Sequence, residues 1–118
     1  MTHTFNVEIA DTPEEQTRGF MFREHIPSDE GMLFAFEQPR IATIWMKNTS
    51  VPLDIIFVRE NGHILKIEHG AKPYSLRTAS SEAPVAAVIE IAGGKVRELG
   101  IGPGDLVKHG FFGTADAE

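Results

Sequence analysis

Ile55-Ile56-Phe57-Val58 is a run of four apolar residues with nothing polar between them, and Asn61-Gly62 follows it after two intervening residues. A strand that is apolar at successive positions is buried on both faces, so this segment is expected in the interior of a sheet rather than at an edge. Asn-Gly is the strongest short hairpin signal, because a tight type I′ turn needs positive φ at both central residues. The run therefore comes with a partner, His63–His69 (HILKIEH), returning beside it. A chain built on this hairpin is a β fold, and its other segments must supply further strands and a cover.

Those segments are readable. Phe5, Val7 and Ile9 alternate with Asn6 and Glu8, the period-two pattern of a half-buried strand with Glu8 on the polar side. Thr12, Pro13 and Glu15 stand as N-cap, first helical residue and capping-box acid, which predicts a short helix to about Phe20. Gly31–Phe36 and Ile41–Met46 read as strands separated by a break at Gln38-Pro39, and Pro84–Gly94 reads as a buried strand that carries Glu90 among apolar neighbours. Gly94–Leu99 is expected to form a helical turn or two. After the Gly/Pro punctuation of Gly100–Asp105, Leu106–Phe112 is expected as a last strand and Gly113–Glu118 as a frayed tail. About seven strands and so little helix make an α+β, mainly β fold: a small curled antiparallel sheet or partly closed β-barrel with one short N-terminal helix. At 118 residues the expectation is one domain, 1–118, with its ordered core at about 4–112.

Composition removes several function classes. Eleven basic against seventeen acidic residues give a net charge of −6, which disfavours duplex nucleic acid and anionic membrane surfaces for the chain as a whole. Without cysteine there is no disulfide, thiolate metal site or cysteine nucleophile. No run reaches the roughly 18 apolar residues of a spanning helix, so no membrane insertion is expected. The five histidines show no tight ligand spacing, and Met21, Met32 and Met46 read as adaptable core filling rather than as Cu(I) ligands, so neither metal nor cofactor is expected. No nucleophile elbow, zincin motif or P-loop is present.

Val7–Arg23 (VEIADTPEEQTRGFMFR), Gly31–Phe36 (GMLFAF), Trp45–Phe57 (WMKNTSVPLDIIF), Ile89–Gly94 (IEIAGG) and Gly100–Asp105 (GIGPGD) together resemble the family known as domain of unknown function 192. The likeness spans nearly the whole chain. It implies a compact, mainly β fold with a short helix near the N-terminus, and it implies no activity. Ile44 stands where the family's central block usually has an aromatic residue. Many members carry a leader, so a cytoplasmic and an exported location both stay open.

The polar residues of these blocks, Glu8, Arg18, Lys47, Asn48, Asp54 and Glu90, are candidates to converge beside Trp45 as a mixed-charge pocket for a small polar ligand or a peptide. Each also has a plainer reading. Lys47 and Asp54 make an exposed ion pair; Asn48 closes a turn; Glu8 is solvated; Arg18 pairs with Glu14 or Glu15; Trp45 is core. Glu90 resists that treatment, since a buried ionised carboxylate needs a partner, for which Arg18 and Lys47 are the candidates. A binding or accessory module is the leading functional expectation. The rivals are an acid/base hydrolase using Asp54 and Glu90, and an interaction module with no pocket.

Overall fold

The computed structural model describes residues 1–116. Seven strands form: β1 (Asn6–Ala10), β2 (Glu30–Arg40), β3 (Thr43–Ile44), β4 (Leu53–Val58), β5 (Ile64–Ala71), β6 (Ala79–Ser80) and β7 (Val85–Ala92). Two short helices, α1 (Pro13–Arg18) and α2 (Lys95–Leu99), accompany them. The main sheet has the order β1-β2-β7-β4-β5, and β3 pairs with β6 in a separate two-stranded ladder. All six residues of β4 are buried and the strand lies between β7 and β5, as its unbroken apolar run requires.

The expected all-antiparallel sheet gives way to a mixed one, because β1 and β2 run parallel. Parallel neighbours need a crossover, and the segment from α1 to Asp29 is that crossover. The sheet is not closed into a barrel: β1 and β5 are its two edges. The helical turn expected at Gly94–Leu99 forms as α2, so a second short helix joins the N-terminal one. Thr12 caps α1 as its sequence indicates, accepting from the Glu15 amide while the Glu15 side chain accepts from the Thr12 amide at 3.1 Å.

The β4–β5 hairpin forms, though with a different turn. The Gly62 amide donates to the Arg59 carbonyl and the Arg59 amide to the His63 carbonyl, each at 2.9 Å, and only Gly62 of the Asn-Gly pair has positive φ. That is a type I turn closed by a left-handed glycine bulge, one residue longer than the type I′ turn. Leu106–Phe112 is not a strand either. Leu106 makes one isolated bridge to His63, and Gly110–Phe112 is a 3-10 turn. In the tail, the Thr114 hydroxyl donates to the Val107 carbonyl at 2.6 Å; residues 117–118 lie outside the described residues.

Register assigns the two faces. Glu90 lies opposite Met32 and Ile55, and Val88 opposite Phe34 and Phe57, so these side chains share one face with Phe20 and Met46 packed on it. The other face carries Ile56, Val58, Ile64 and Ile91 and is covered by Val96 of α2. Asp54 lies opposite Ile91 and so belongs to this second face. Gly31 sits where β2 and β7 approach closely: a Cβ there would meet the Glu90 carbonyl at 2.6 Å and an Ile91 methyl at 2.8 Å. Gly31→Ala is therefore expected to cost about 2–3 kcal/mol in chemical unfolding and to shift the amide resonances of Glu90 and Ile91. A variant as stable as the parent would show that the two strands separate at no cost.

Candidate functional site

Glu90 occupies the middle of a central strand on the face roofed by α1. The residue is 3% exposed and its side chain has no hydrogen-bond partner among the described residues, yet its oxygens keep some contact with solvent, since no fully buried side-chain oxygen there is left unpaired. It is not sealed in. It lies at the floor of an open cleft of about 540 Å³ bounded by α1, the end of β2, β3 and the residues that follow it. Desolvation pushes its pKa up to about 8, so the carboxyl is largely neutral at pH 7 and presents an O–H donor as well as an acceptor. The expected buried ion pair does not form: neither Arg18 nor Lys47 pairs with Glu90 among the described residues, and burial with no cation beside it favours the neutral carboxyl.

The walls come from both layers. Trp45 is 44% exposed and contributes an aromatic side, with Phe34, Phe36, Ile41 and Ile44 continuing the apolar lining. Arg18 reaches the cleft from the last turn of α1, and Arg40 from the end of β2. The Arg40 guanidinium lies 4.1 Å from the Phe36 ring centroid, within cation–π range, and its Nη2 sits 3.4 Å from Gln16 Oε1. The Gln16 amide in turn donates to the carbonyls of Ala10 and Ala35 at 3.1 and 2.9 Å. One glutamine thereby fastens α1 to the β1–β2 edge and helps to place Arg40.

Gly19 explains how the helix ends without filling this space. At φ 46°, ψ −127° its backbone occupies a region suited to glycine, and an added Cβ would meet the Phe34 ring at 3.2 Å and Glu90 Oε1 at 3.6 Å. The chain turns sharply here and leaves the carboxyl reachable.

A family model, DUF192, described as an uncharacterized ACR, matches residues 1–109. The chain belongs to that family. Two crystal structures are similar over most of their length. One is a candidate transcription regulator from Sinorhizobium meliloti 1021, 42% identical at a TM-score of 0.83, covering 85% of this chain and 78% of that one. The other is a protein of unknown function from Novosphingobium aromaticivorans DSM 12444, 44% identical at a TM-score of 0.85, covering 86% and 73%. No functionally curated protein matches the chain.

Of the seven candidates read from the DUF192 blocks, Arg18, Trp45 and Glu90 meet at the cleft. The other four do not line it. Asp54 is fully buried on the opposite face, where its two oxygens accept from the Gly70 and Val96 amides at 2.8 and 2.9 Å. It is no exposed partner of Lys47, and it cannot act with Glu90 as a carboxylate pair because the sheet separates them. Lys47 instead lies 5.2 Å from the Trp45 ring centroid. Asn48 adopts φ 55° and its carbonyl accepts from the Phe22 amide at 2.9 Å, a turn role. Glu8 forms a two-pronged ion pair with Arg23, including a 2.7 Å contact, and that hydrogen bonding holds its pKa below the usual range. Arg18 makes no ion pair with Glu14 or Glu15 among the described residues.

Arg40 and Gly19 also line the cleft, and neither stands out as a site residue in the sequence. Arg40 follows a proline break that looks like loop, and no local pattern reveals that β2 carries it to the cleft. A smaller cleft of about 360 Å³ opens near β5, but its carboxylate, Glu68, is already paired with Arg77 at 2.9 Å. No helix among the described residues is long and apolar enough to cross a membrane.

Proposed function

We propose that this protein is a single-domain binding module whose α1-side cleft takes a small polar ligand or the end of a peptide. The observation that carries the reading is Glu90: a residue 3% exposed, its side chain without a protein partner, at the floor of an open cleft. A buried polar group normally finds its hydrogen bonds within the fold, so one that faces a cavity is placed to give them to something else. Trp45, Arg18 and Arg40 supply the surface around it. The acid/base reading that pairs Asp54 with Glu90 has no geometric support, since the two occupy opposite faces. The description of the Sinorhizobium relative suggests gene regulation for that protein; a net charge of −6 argues against duplex DNA as this chain's own ligand.

Trp45 is the only tryptophan, which makes the cleft its own reporter. Screening a few hundred polar fragments by the Trp45 indole N–H resonance should yield hits that also shift Gly19 and Glu90, and Trp45→Ala should weaken them about tenfold or more. A screen in which no fragment moves these three positions together would remove the binding reading and leave the cleft as a feature of folding alone.

A further inference from the structure

The cleft also states the sign of its ligand. Among the residues lining it only three are ionisable: Arg18, Arg40 and Glu90. Ion pairs among the described residues use Arg23, Lys66, Arg77 and Lys95, so neither cleft arginine is neutralised by a carboxylate. Arg18 makes no side-chain hydrogen bond there, and Arg40 has only its long contact to Gln16 and the face of Phe36. In a chain of net charge −6 this is a locally cationic hollow.

We propose, building on the binding reading above, that the natural ligand is a small organic anion: a carboxylate on a flat apolar body, the acid group between Arg18 and Arg40 and the body against Trp45 and Ile41. A guanidinium is the side chain best matched to a carboxylate, through parallel N–H donors in a fixed plane. The floor agrees with the mouth. A neutral carboxyl donates an O–H to an anion and does not repel it, and it offers an ammonium ion only the weaker pull of an uncharged carbonyl oxygen. The walls fit as well, since exposed aromatic and aliphatic surface between the charged groups gains from covering an apolar body and not from a fully polar solute. Around Glu90 the charged groups facing the cleft are Arg18 from α1 and Arg40 from β2; no second acid and no histidine lines it.

Three probes of nearly one shape separate the possibilities: 2-naphthoate, 2-naphthamide and 2-naphthylmethylammonium, titrated against the intact chain at pH 6.5 and read at the Trp45 indole N–H. The carboxylate is expected to bind at least tenfold more tightly than the amide and the ammonium ion. Arg40→Gln should remove most of that preference, and the variant's backbone amide spectrum away from the cleft reports that it is folded. Arg18→Gln gives the same readout through a residue with no packing role. If the amide or the ammonium binds as well as the carboxylate, the anion inference is overturned and the binding reading stands. If none of the three moves Trp45, the inference also fails, and the fragment screen decides the binding reading separately.

Discussion

Asp54→Ala is expected to lower the unfolding free energy by about 3–5 kcal/mol, and the melting temperature by more than about 10 °C, although the residue lies beside a motif that looks functional. Its two oxygens fasten three elements of the second face. The β4–β5 ladder changes register between Leu53 and Ile55, which leaves the Gly70 amide outside the regular pairing; Asp54 accepts from it at 2.8 Å. The other oxygen takes the amide of Val96, the second residue of α2, whose N-cap position is a glycine with no side chain to offer. A residue in β4 thus caps a helix that starts more than 40 positions later. Alanine would leave two inward-facing N–H groups without acceptors as well as a void. Asp54→Asn keeps one acceptor but turns an NH2 group toward the other donor, so an intermediate loss is expected. Calorimetric melts of the three proteins check the order. An Asp54→Ala protein that melts within about 2 °C of the parent would mean that water replaces the carboxyl without loss and that the clasp is not structural.

What was legible in the sequence is what depends on neighbours along the chain. Thr12, Pro13 and Glu15 determine the start of α1 within a single turn, and the structure reproduces their capping box. The buried character of β4 and β7 follows from composition over six to eight residues. Pairing is a different matter. The parallel β1–β2 contact depends on where a crossover puts the chain down, and nothing in Phe5–Ala10 encodes it. The same holds for the candidate site. Lys47 and Asp54 are close in sequence, but Asp54 enters the strand pointing inward, so proximity along the chain suggested an ion pair that burial forbids. Parity within each strand was visible for Asp54 and Glu90 alike. Only the β4–β7 register, which puts Ile55 across from Glu90, reveals that the two acids face opposite ways. Glu90 itself stood out correctly as an acid in apolar surroundings. It has no cation beside it, and burial without one favours the neutral carboxyl.

That neutral state has a measurable consequence, and Glu90→Gln is expected to make the protein more stable above neutral pH. The folded-state pKa of about 8 lies well above the ordinary 4.5. Below pH 4.5 the group is protonated whether the chain is folded or unfolded, and it contributes no pH dependence. From about pH 4.5 to 8 the unfolded chain releases this proton and the folded chain keeps it, so folding loses up to about 1.4 kcal/mol per pH unit. Above pH 8 the folded state ionises too, and the accumulated loss levels off on the order of 5 kcal/mol. Glutamine has nearly the same shape and no such proton. The difference between the two proteins should therefore be small at pH 4.5, reach several kcal/mol by pH 8, and change little beyond, in urea unfolding followed across that range. Glu8, Glu15 and Glu82 have lowered pKa values, so their contributions change below about pH 4.5 and cancel in the comparison. Parallel stability curves for the two proteins between pH 5 and 8 would show that Glu90 is ionised in the folded state. The floor of the cleft would then repel an anion, and the ligand class drawn from Arg18 and Arg40 would lose its second support. A divergent pair would instead show that the fold bears a cost of several kcal/mol near pH 8 for a carboxyl that a neutral amide could replace, at the one buried acid that faces the cleft.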